Sequence, residues 1–203
     1  MSKKRMLVSF VLDETGSMGS VKGQTISGFN EYVGALRSSK KADRVRFTLT
    51  KFNSAKTEIV HDGAKLGSVK DLTNETYRPD MATPLYDAIG ATIRAAEKKA
   101  RDEDSVLIVI QTDGQENASQ EYLRQNIFDL IEEKKLSGWS FVFLGADQDA
   151  YAASASLGIS AGSTMSYASA NTQSTFRGVG AVTVSYLDTG AKSTDAFFDT
   201  DNA

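Results

Sequence analysis

Hydroxyl and carboxyl side chains stand at alternate positions of one short segment of this sequence. The segment DETGS follows an apolar run and places Asp13, Thr15 and Ser17 on a tight turn. Two further segments add oxygen-bearing side chains: TPLYDAI begins at Thr83, and QTDG contains Asp113. All five side chains offer oxygen and none offers nitrogen or sulfur, so as a group they suit Mg²⁺, Mn²⁺ or Ca²⁺ better than Zn²⁺.

The elements that must position these residues follow from the hydrophobic pattern. Apolar or alternating runs predict strands over 5–12, 44–53, 57–66, 105–114, 139–147 and, more weakly, 163–168. Helical spacing of apolar residues predicts helices over 21–39, 83–100, 119–138, 148–159 and 172–187. In the second of these helices, Thr83 is the predicted N-cap and Pro84 the first helical residue.

This alternation of buried strands with amphipathic helices predicts an α/β fold. We expect a three-layer α/β/α sandwich with a doubly wound, mostly parallel sheet and one antiparallel edge strand, 57–66. In open α/β sheets, ligands bind beyond the carboxyl ends of the strands. Because Asp13, Asp113 and Asp147 each lie at the end of a predicted strand, the sequence predicts one polar site at that edge of the sheet.

The composition excludes several classes of function. The 203 residues include no cysteine, which removes disulfides, thiolate metal sites and cysteine nucleophiles. His61 is the only histidine, so the sequence suggests no Ser-His-Asp triad. The net charge of −3 reflects no excess of lysine or arginine, so we expect no nucleic-acid partner.

The amino-terminal segment predicts a strand and not a targeting signal. Its apolar run is short and ends in Asp13 and Glu14, without a small-residue cleavage site. No apolar run in the sequence approaches the roughly 20 residues that a membrane-spanning helix needs. We therefore expect a soluble, cytoplasmic protein that does not bind a membrane.

The three oxygen-bearing segments together resemble the metal-ion-dependent adhesion site of von Willebrand factor A domains. DETGS is similar to that family's D-x-[ST]-x-S signature, TPLYDAI to its threonine loop, and QTDG to its third, aspartate-bearing loop. The segments occur in the family's order, and the resemblance covers roughly residues 5–188. At the position of Thr15 the family more often has serine, and threonine keeps the hydroxyl group. The start of the chain resembles intracellular bacterial or phage members of the family.

The resemblance implies a metal-binding role for each of these residues. Ser17, Thr15 and Thr83 would bind Mg²⁺, or Mn²⁺ or Ca²⁺, through their hydroxyls. Asp13 and Asp113 would act mainly through bound waters and by orienting the hydroxyls. Because few carboxylates would bind the cation directly, the protein would neutralise only part of its positive charge. Mg²⁺ also readily keeps bound water molecules. One water can then yield to an acidic side chain of a protein partner, in a binding module without catalysis.

Structural roles are alternatives for the same residues. Thr83 before Pro84 forms a good helix N-cap with no metal, and Ser17 could cap the first helix in the same way. A TDG sequence is common in turns. A structural or assembly subunit with a vestigial metal site therefore stands beside the binding module as a hypothesis.

An enzyme is the other alternative. DETGS also resembles the phosphorylated loop of P-type ATPases and their haloacid dehalogenase-like relatives, where Asp13 would be the nucleophile of a Mg²⁺-dependent phosphotransferase or phosphatase. Thr15 occupies the place of the general-acid aspartate in the common phosphatases of that class. The turn also runs directly into a helix, which leaves no room for their flap. Lys51 and Lys65 are the remaining candidates for the lysine that would bind the phosphate group in such an enzyme.

The predicted domain spans 1–188, and 189–203 is predicted to be a flexible acidic tail. Phe197 and Phe198 are its only candidates for anchoring to the domain. A flexible acidic segment is chemically the kind of ligand that a metal site accepts. Occupation of the metal site by the tail is therefore a hypothesis beside a plain solvated terminus.

Overall fold

A six-stranded sheet forms the centre of the molecule in this computed structural model, which describes residues 4–147, 149–189 and 196–198. The strand order is β3-β2-β1-β4-β5-β6. The strands are β1 Met6–Asp13, β2 Val45–Asn53, β3 Lys56–Lys65, β4 Ser105–Thr112, β5 Ser140–Ala146 and β6 Thr164–Tyr167. All neighbours pair in parallel except β2 and β3, which pair antiparallel. The predicted sheet, with one antiparallel edge strand, is confirmed.

Helices cover both faces of the sheet, as predicted. They are α1 Lys22–Ser38, α2 Leu85–Glu97, α3 Arg124–Leu136, α4 Ala150–Ser156 and α5 Thr172–Thr189. Residues of α1 and α5 share one buried apolar cluster with the sheet, and residues of α2, α3 and α4 share the other. None of the described helices is both long and apolar enough to cross a membrane.

Strand β1 lies in the middle of the sheet and contributes to both apolar clusters. Phe10 points to the side of α1 and α5, where its ring centroid lies 5.7 Å from that of Phe29 and 5.5 Å from that of Phe176. Leu7 and Val11 point to the opposite side. All eight residues of β1 are buried, which explains the continuous apolar run and fixes the position of Asp13 at its end.

Two predicted helix starts are wrong. Helix α2 begins at Leu85, with Pro84 at the N-cap position and no side-chain cap from Thr83. Helix α3 begins at Arg124 instead of residue 119. The segment before it is held in another conformation, because the backbone N–H groups of residues 120, 121 and 122 all donate to the carboxylate of Asp87.

Part of the predicted tail packs on the domain. Phe197 is buried, with its ring centroid 5.9 Å from that of Tyr186. The N–H of Phe198 donates to the carbonyl of Gly162, 2.9 Å away, shortly before the start of β6. The other predicted tail residues, 190–195 and 199–203, lie outside the described residues, so the boundary between domain and tail stays a prediction.

Candidate metal centre

The five sequence-predicted residues meet at one edge of the sheet. Strands β1 and β4 are parallel neighbours, so Asp13 and Asp113 come to the same carboxyl edge. Direct hydrogen bonds link the segments: Thr112 Oγ1 donates to Asp13 Oδ2 (2.5 Å), and Ser17 Oγ donates to Asp113 Oδ1 (2.6 Å). The hydroxyl oxygens of Thr15 and Ser17 are 3.3 Å apart. The predicted convergence of the first and third loops is thus present in the structure.

Asp13 is a fully buried carboxyl group. Its Oδ1 accepts a hydrogen bond from the backbone N–H of Thr15 at 2.7 Å, and its Oδ2 accepts the one from Thr112. Burial raises the pKa of Asp13 from 3.8 to about 6, against the opposing effect of these hydrogen bonds, and the charge of Asp113 adds to the rise. Burial likewise raises the pKa of Asp113, with the Asp147 carboxylate adding to it. Burial is the largest cause of both rises, so the charged form of each carboxyl group is disfavoured here.

Thr83 brings a third hydroxyl to the same place. A Cβ atom added to Gly114 would lie 3.1 Å from Oγ1 of Thr83 and 3.9 Å from Oγ of Ser17, so the backbone at Gly114 fits closely against both hydroxyls. Thr83 itself is buried. Within the described residues, no hydrogen bond involves its hydroxyl, in contrast to those of Thr15 and Ser17.

Side chains of the third loop cap the start of helix α2, in place of Thr83. Glu116 Oε2 accepts from the N–H of Tyr86 at 3.0 Å, and Ser119 Oγ accepts from the N–H of Asp87 at 3.1 Å. These two side chains satisfy free N–H groups in the first turn of α2. Ser17 also makes no side-chain cap, because its oxygen accepts no backbone N–H among the described residues and its hydroxyl donates to Asp113. Helix capping therefore does not explain either hydroxyl.

Asn117 fixes the backbone of Thr83. Its Oδ1 accepts from the N–H of Thr83 at 2.8 Å, and its own N–H donates to the carbonyl of Thr83 at 3.1 Å. The loop that carries Asp113 thereby holds the Thr83 hydroxyl in place. The sequence analysis missed this residue, although it stands three residues after QTDG.

We expect Asn117→Ala to raise the Kd for Mn²⁺ about tenfold, the usual lower range for loss of a group that orients a metal ligand. The reason is that the Thr83 N–H loses its acceptor and the hydroxyl its fixed direction. Titration followed by the electron paramagnetic resonance signal of free Mn²⁺ measures this. Asn117→Asp keeps the acceptor and is the matched control; equal Kd values for the alanine variant and the unchanged protein would contradict the role.

A second set of contacts holds the DETGS turn against the loop before α2. The Tyr77 hydroxyl donates to the Asp13 carbonyl (2.6 Å), and the Gly16 N–H donates to the Met81 carbonyl (3.0 Å). Met81 adopts a left-handed backbone conformation, with φ at 69°, and its side chain is exposed. Such a conformation is strained in a residue other than glycine. The loop therefore holds Met81 against its local preference beside the candidate site.

Lys51 and Glu14 form a buried ion pair under the same turn. Lys51 Nζ lies 2.9 Å and 3.1 Å from the two carboxylate oxygens of Glu14 and donates to the carbonyl of Thr76 at 2.6 Å. Glu14 also accepts from the N–H of Arg78 at 2.6 Å. The sequence left Lys51 as a candidate for binding a phosphate group. In the structure, its ammonium group forms an ion pair with Glu14 instead.

The chemistry of the donors suits a hard divalent cation. Two carboxylates and three hydroxyls converge, and one hydroxyl, that of Thr83, is free of internal bonds within the described residues. Among those residues there is no group of three or more His, Cys, Asp or Glu side chains arranged to hold a metal. The cluster could therefore hold Mg²⁺ or Mn²⁺ chiefly through neutral oxygens and waters, which both ions accept.

The sheet has the order of an open α/β fold, and the polar cluster lies at the carboxyl edge of its central strands. The sequence model of the von Willebrand factor type A domain matches residues 8–179. The chain belongs to that family. None of the curated proteins compared with it matches significantly.

Solved structures show the same fold at low sequence identity. The von Willebrand factor domain of the type V pili tip protein Mfa5 from Porphyromonas gingivalis is 11% identical, with a TM-score of 0.67 and 94% and 97% of the two chains covered. Manganese-loaded TRAP protein from Plasmodium vivax is 13% identical, with a TM-score of 0.58 and 86% and 74% covered. Proximal thread matrix protein 1 from the mussel byssus is 10% identical (TM-score 0.64, 86% of this chain); the match spans only 46% of that protein.

Proposed function

We propose that this domain is a divalent-metal-dependent protein-binding module, without catalysis. Asp13, Thr15, Ser17, Thr83 and Asp113 hold Mg²⁺ or Mn²⁺, and a partner presents an acidic side chain to it. The observation that carries the proposal is the hydroxyl of Thr83, which makes no hydrogen bond among the described residues and lies beside the Ser17 hydroxyl against Gly114. Because no internal group uses this hydroxyl there, its oxygen is available to a ligand.

The roles of the five residues follow from their hydrogen bonds. Ser17 donates its proton to Asp113, so in its 3.3 Å contact with Thr15 it can only accept, and one lone pair of its oxygen is left to face a cation. Asp13, bound by Thr15 and Thr112, contributes its charge from behind the hydroxyls. When bound, the cation supplies an electrophilic position for a carboxylate oxygen. Because the direct protein ligands are mostly neutral, that position stays attractive to an acidic side chain.

The neighbours support a role in binding. One of them is manganese-loaded, and others are pilus tip proteins or adhesins, which favours a divalent cation and a protein partner here as well. Mg²⁺ remains the first choice from sequence, with Mn²⁺ and Ca²⁺ as alternatives. A cytoplasmic location and a bacterial or phage origin remain predictions from the sequence.

Phosphate transfer is disfavoured by the surroundings of Asp13. A nucleophilic carboxylate needs an oxygen free to attack, whereas Asp13 is fully buried and both its oxygens accept hydrogen bonds. Lys51 pairs with Glu14 and is not directed at a phosphate position beside Asp13. The proposal therefore contains no catalytic step.

Thr83→Ala tests the proposal most directly. We expect its Kd for Mn²⁺ to rise at least about tenfold, equivalent to about 1.4 kcal/mol, because a direct ligand is lost. Thr83→Ser keeps the hydroxyl and is the matched control. Urea unfolding in EDTA checks the fold, which should be nearly unchanged because this hydroxyl makes no internal hydrogen bond among the described residues.

The partner half of the proposal needs an acidic probe. The peptide acetyl-Gly-Asp-Gly-amide should bind in the presence of Mn²⁺, and neither its asparagine counterpart nor the same peptide in EDTA should do so. Heteronuclear NMR chemical shifts report such weak binding when diamagnetic Mg²⁺ replaces Mn²⁺, whose unpaired electrons broaden the signals near the site. If Mn²⁺ binds equally well to the alanine and serine variants, the assigned site is wrong. If Mn²⁺ binds the serine variant and the unchanged protein but neither then binds the acidic peptide, the proposed partner chemistry is wrong.

A further inference from the structure

A small cavity lies at the amino end of the sheet, opposite the candidate metal centre. It has a volume of about 90 Å³ and lies where β1 and β4 begin and α5 ends. Three buried side chains, Met6, Tyr186 and Leu187, form the apolar part of its wall. Pockets for drug-sized ligands are larger, about 300–1,000 Å³. The cavity therefore has room for a small ion or for one functional group of a larger molecule.

Basic side chains form most of the remaining wall. The other five lining residues are Lys4, Arg5, Lys41, Arg44 and Ser105. Four of these five are basic, and no acidic residue among the described ones lines the cavity. Like charges held close together repel one another unless a counter-charge lies between them. The composition of the wall therefore favours an anion as the ligand.

Nearby carboxylates neutralise only one of the four basic side chains. Asp104 binds the Arg5 guanidinium, accepting from Nε at 3.2 Å, and its own side chain is only 1% exposed. This hydrogen bond raises the pKa of Arg5, and the charge of Glu103 adds to the rise. Asp43 is exposed and lines a separate groove. The other three basic side chains make no ion pair in the part of the chain that the structure describes.

The end of α5 holds Lys41 at the cavity. Its ammonium group donates to the backbone carbonyls of Leu187 and Asp188, at 3.0 Å and 2.6 Å. Both carbonyls belong to the last turn of α5, where backbone acceptors lack partners within the helix. Because these acceptors are neutral and an ammonium group has three N–H bonds, Lys41 keeps its charge and one donor for a ligand.

Arg44 offers the largest set of unused donors. Its half-buried side chain makes no hydrogen bond or ion pair among the described residues, and its backbone N–H donates to the carbonyl of Lys41 at 2.9 Å. Nη1 of Arg5 and the hydroxyl of Ser105 are likewise without a hydrogen bond within those residues. Guanidinium, ammonium and hydroxyl donors from separate segments of the chain therefore remain available around the cavity.

This set of donors suits a phosphate group. The planar guanidinium of an arginine binds two phosphate oxygens at once, and such charge-assisted hydrogen bonds are stronger than neutral ones. The oxygens of phosphate point in tetrahedral directions, so donors from several segments can bind it together. Three basic side chains without a carboxylate partner are also offset better by a dianion than by a single carboxylate.

We propose that this cavity binds one phosphate group, either as inorganic phosphate or as the end of a phosphate monoester. Arg44 binds two of its oxygens, and Lys41 and Lys4 supply the remaining positive charge. The hydroxyl of Ser105 and Nη1 of Arg5 complete the set of donors. Because the cavity lies at the opposite end of the sheet from the metal centre, this binding does not depend on the function proposed above.

Titration with inorganic phosphate tests the site in protein that a chelating resin has freed of divalent cations. EDTA is avoided because it is itself a polyanion, and sodium chloride keeps the ionic strength constant. At a pH of about 7.5, phosphate is mainly dianionic. We expect saturable chemical-shift changes of backbone amides around the cavity, with a Kd of about 1 mM, as two or three charge-assisted hydrogen bonds provide. Acetate should bind about tenfold more weakly, because it carries one charge and two oxygens.

Two substitutions that remove the same charge locate the binding. Arg44→Gln should raise the Kd for phosphate about tenfold and leave the fold intact, because this side chain has no partner among the described residues. Lys40→Gln is the matched control, since Lys40 is exposed and does not line the cavity. It should change the Kd by less than about twofold, because salt screens its charge. Arg44→Lys keeps the charge without the planar guanidinium and should give an intermediate Kd, and urea unfolding checks the fold of each variant.

Methyl phosphate identifies the source of the group. Equal binding of methyl phosphate and inorganic phosphate assigns the cavity to the end of a larger molecule, and binding of inorganic phosphate alone assigns it to the free ion; both results support a phosphate site. Equal binding of acetate, or equal losses through Arg44→Gln and Lys40→Gln, would show a diffuse positive surface and overturn the proposal. So would the absence of saturation by about 20 mM of either phosphate. All of these measurements are made without a divalent cation, so they leave the proposed metal-dependent function untouched.

Discussion

Asp13→Asn is expected to stabilise the metal-free protein by about 3 kcal/mol near neutral pH, and to abolish stabilisation by Mg²⁺. The estimate follows from the pKa of Asp13, which burial raises from 3.8 to about 6. Asparagine removes the buried charge and can keep the hydrogen bonds, because Thr112 Oγ1 also lies 3.1 Å from the carbonyl of Gly114 and can donate there.

The effect has a defined dependence on pH. The folded protein holds the Asp13 proton more tightly than the unfolded chain, so this group favours folding fully below about pH 4, and the advantage disappears as pH rises through about 6. The stability difference between the variant and the unchanged protein should therefore grow from about pH 4 to pH 6 and level off above it. Asp113 is present in both proteins, so the comparison isolates Asp13.

Urea unfolding in EDTA across this pH range measures the difference. In Mg²⁺ at about a hundred times its Kd, the unchanged protein should gain about 2.7 kcal/mol and the variant almost nothing, so the difference should nearly vanish. A variant that is less stable than the unchanged protein in EDTA at neutral pH would contradict this account. It would mean that the Asp13 charge is compensated within the protein without a cation.

Lys51→Met is expected to lower the free energy of unfolding by about 3–5 kcal/mol, the usual result of leaving one charge of a buried pair alone. The side chains of Lys51 and Glu14 are only 6% and 4% exposed, so water cannot replace the lost partner. The carbonyl of Thr76 also loses its donor. Because the pair joins the DETGS turn to the loop before α2, we also expect weaker binding of Mn²⁺.

The double variant Glu14→Gln, Lys51→Met is the control for this prediction. Glutamine removes the remaining charge and can still accept from the N–H of Arg78, which lies 2.6 Å from the present carboxylate. We expect the double variant to recover most of the lost stability, as neutral replacements of buried pairs commonly do. A cost below about 1 kcal/mol for Lys51→Met alone would show that the pair behaves like an exposed one.

Local sequence patterns predicted the layered fold because its strands and helices bury apolar faces with characteristic periods. The run before Asp13 is buried on both sides of the sheet, and such a strand needs no polar alternation. The alternating run that became β2 and the edge strand β3 were predicted within a residue or two. Strand direction then brings Asp13 and Asp113 to one edge, which follows from parallel pairing and not from any single residue.

The precise role of Thr83 could not be predicted from its own neighbourhood. Thr before Pro has the local chemistry of a helix cap, and nothing nearby in sequence contradicts that interpretation. The structure gives the capping to Glu116 and Ser119, more than 30 residues away, and the Thr83 hydroxyl makes no hydrogen bond in the part of the chain that the structure describes. Competition between distant side chains for the same backbone N–H groups decides the outcome.

The sequence by itself determined the sheet, its covering helices and the oxygen-rich composition of the candidate site, because these depend on periodicity and residue type. Only the tertiary structure decided which groups are left without internal partners. The Lys51–Glu14 pair spans 37 residues, and the Asn117–Thr83 contact spans 34. Hydrogen bonds and ion pairs over such separations depend on the packing of the whole sheet, and packing leaves no periodic signal in the chain.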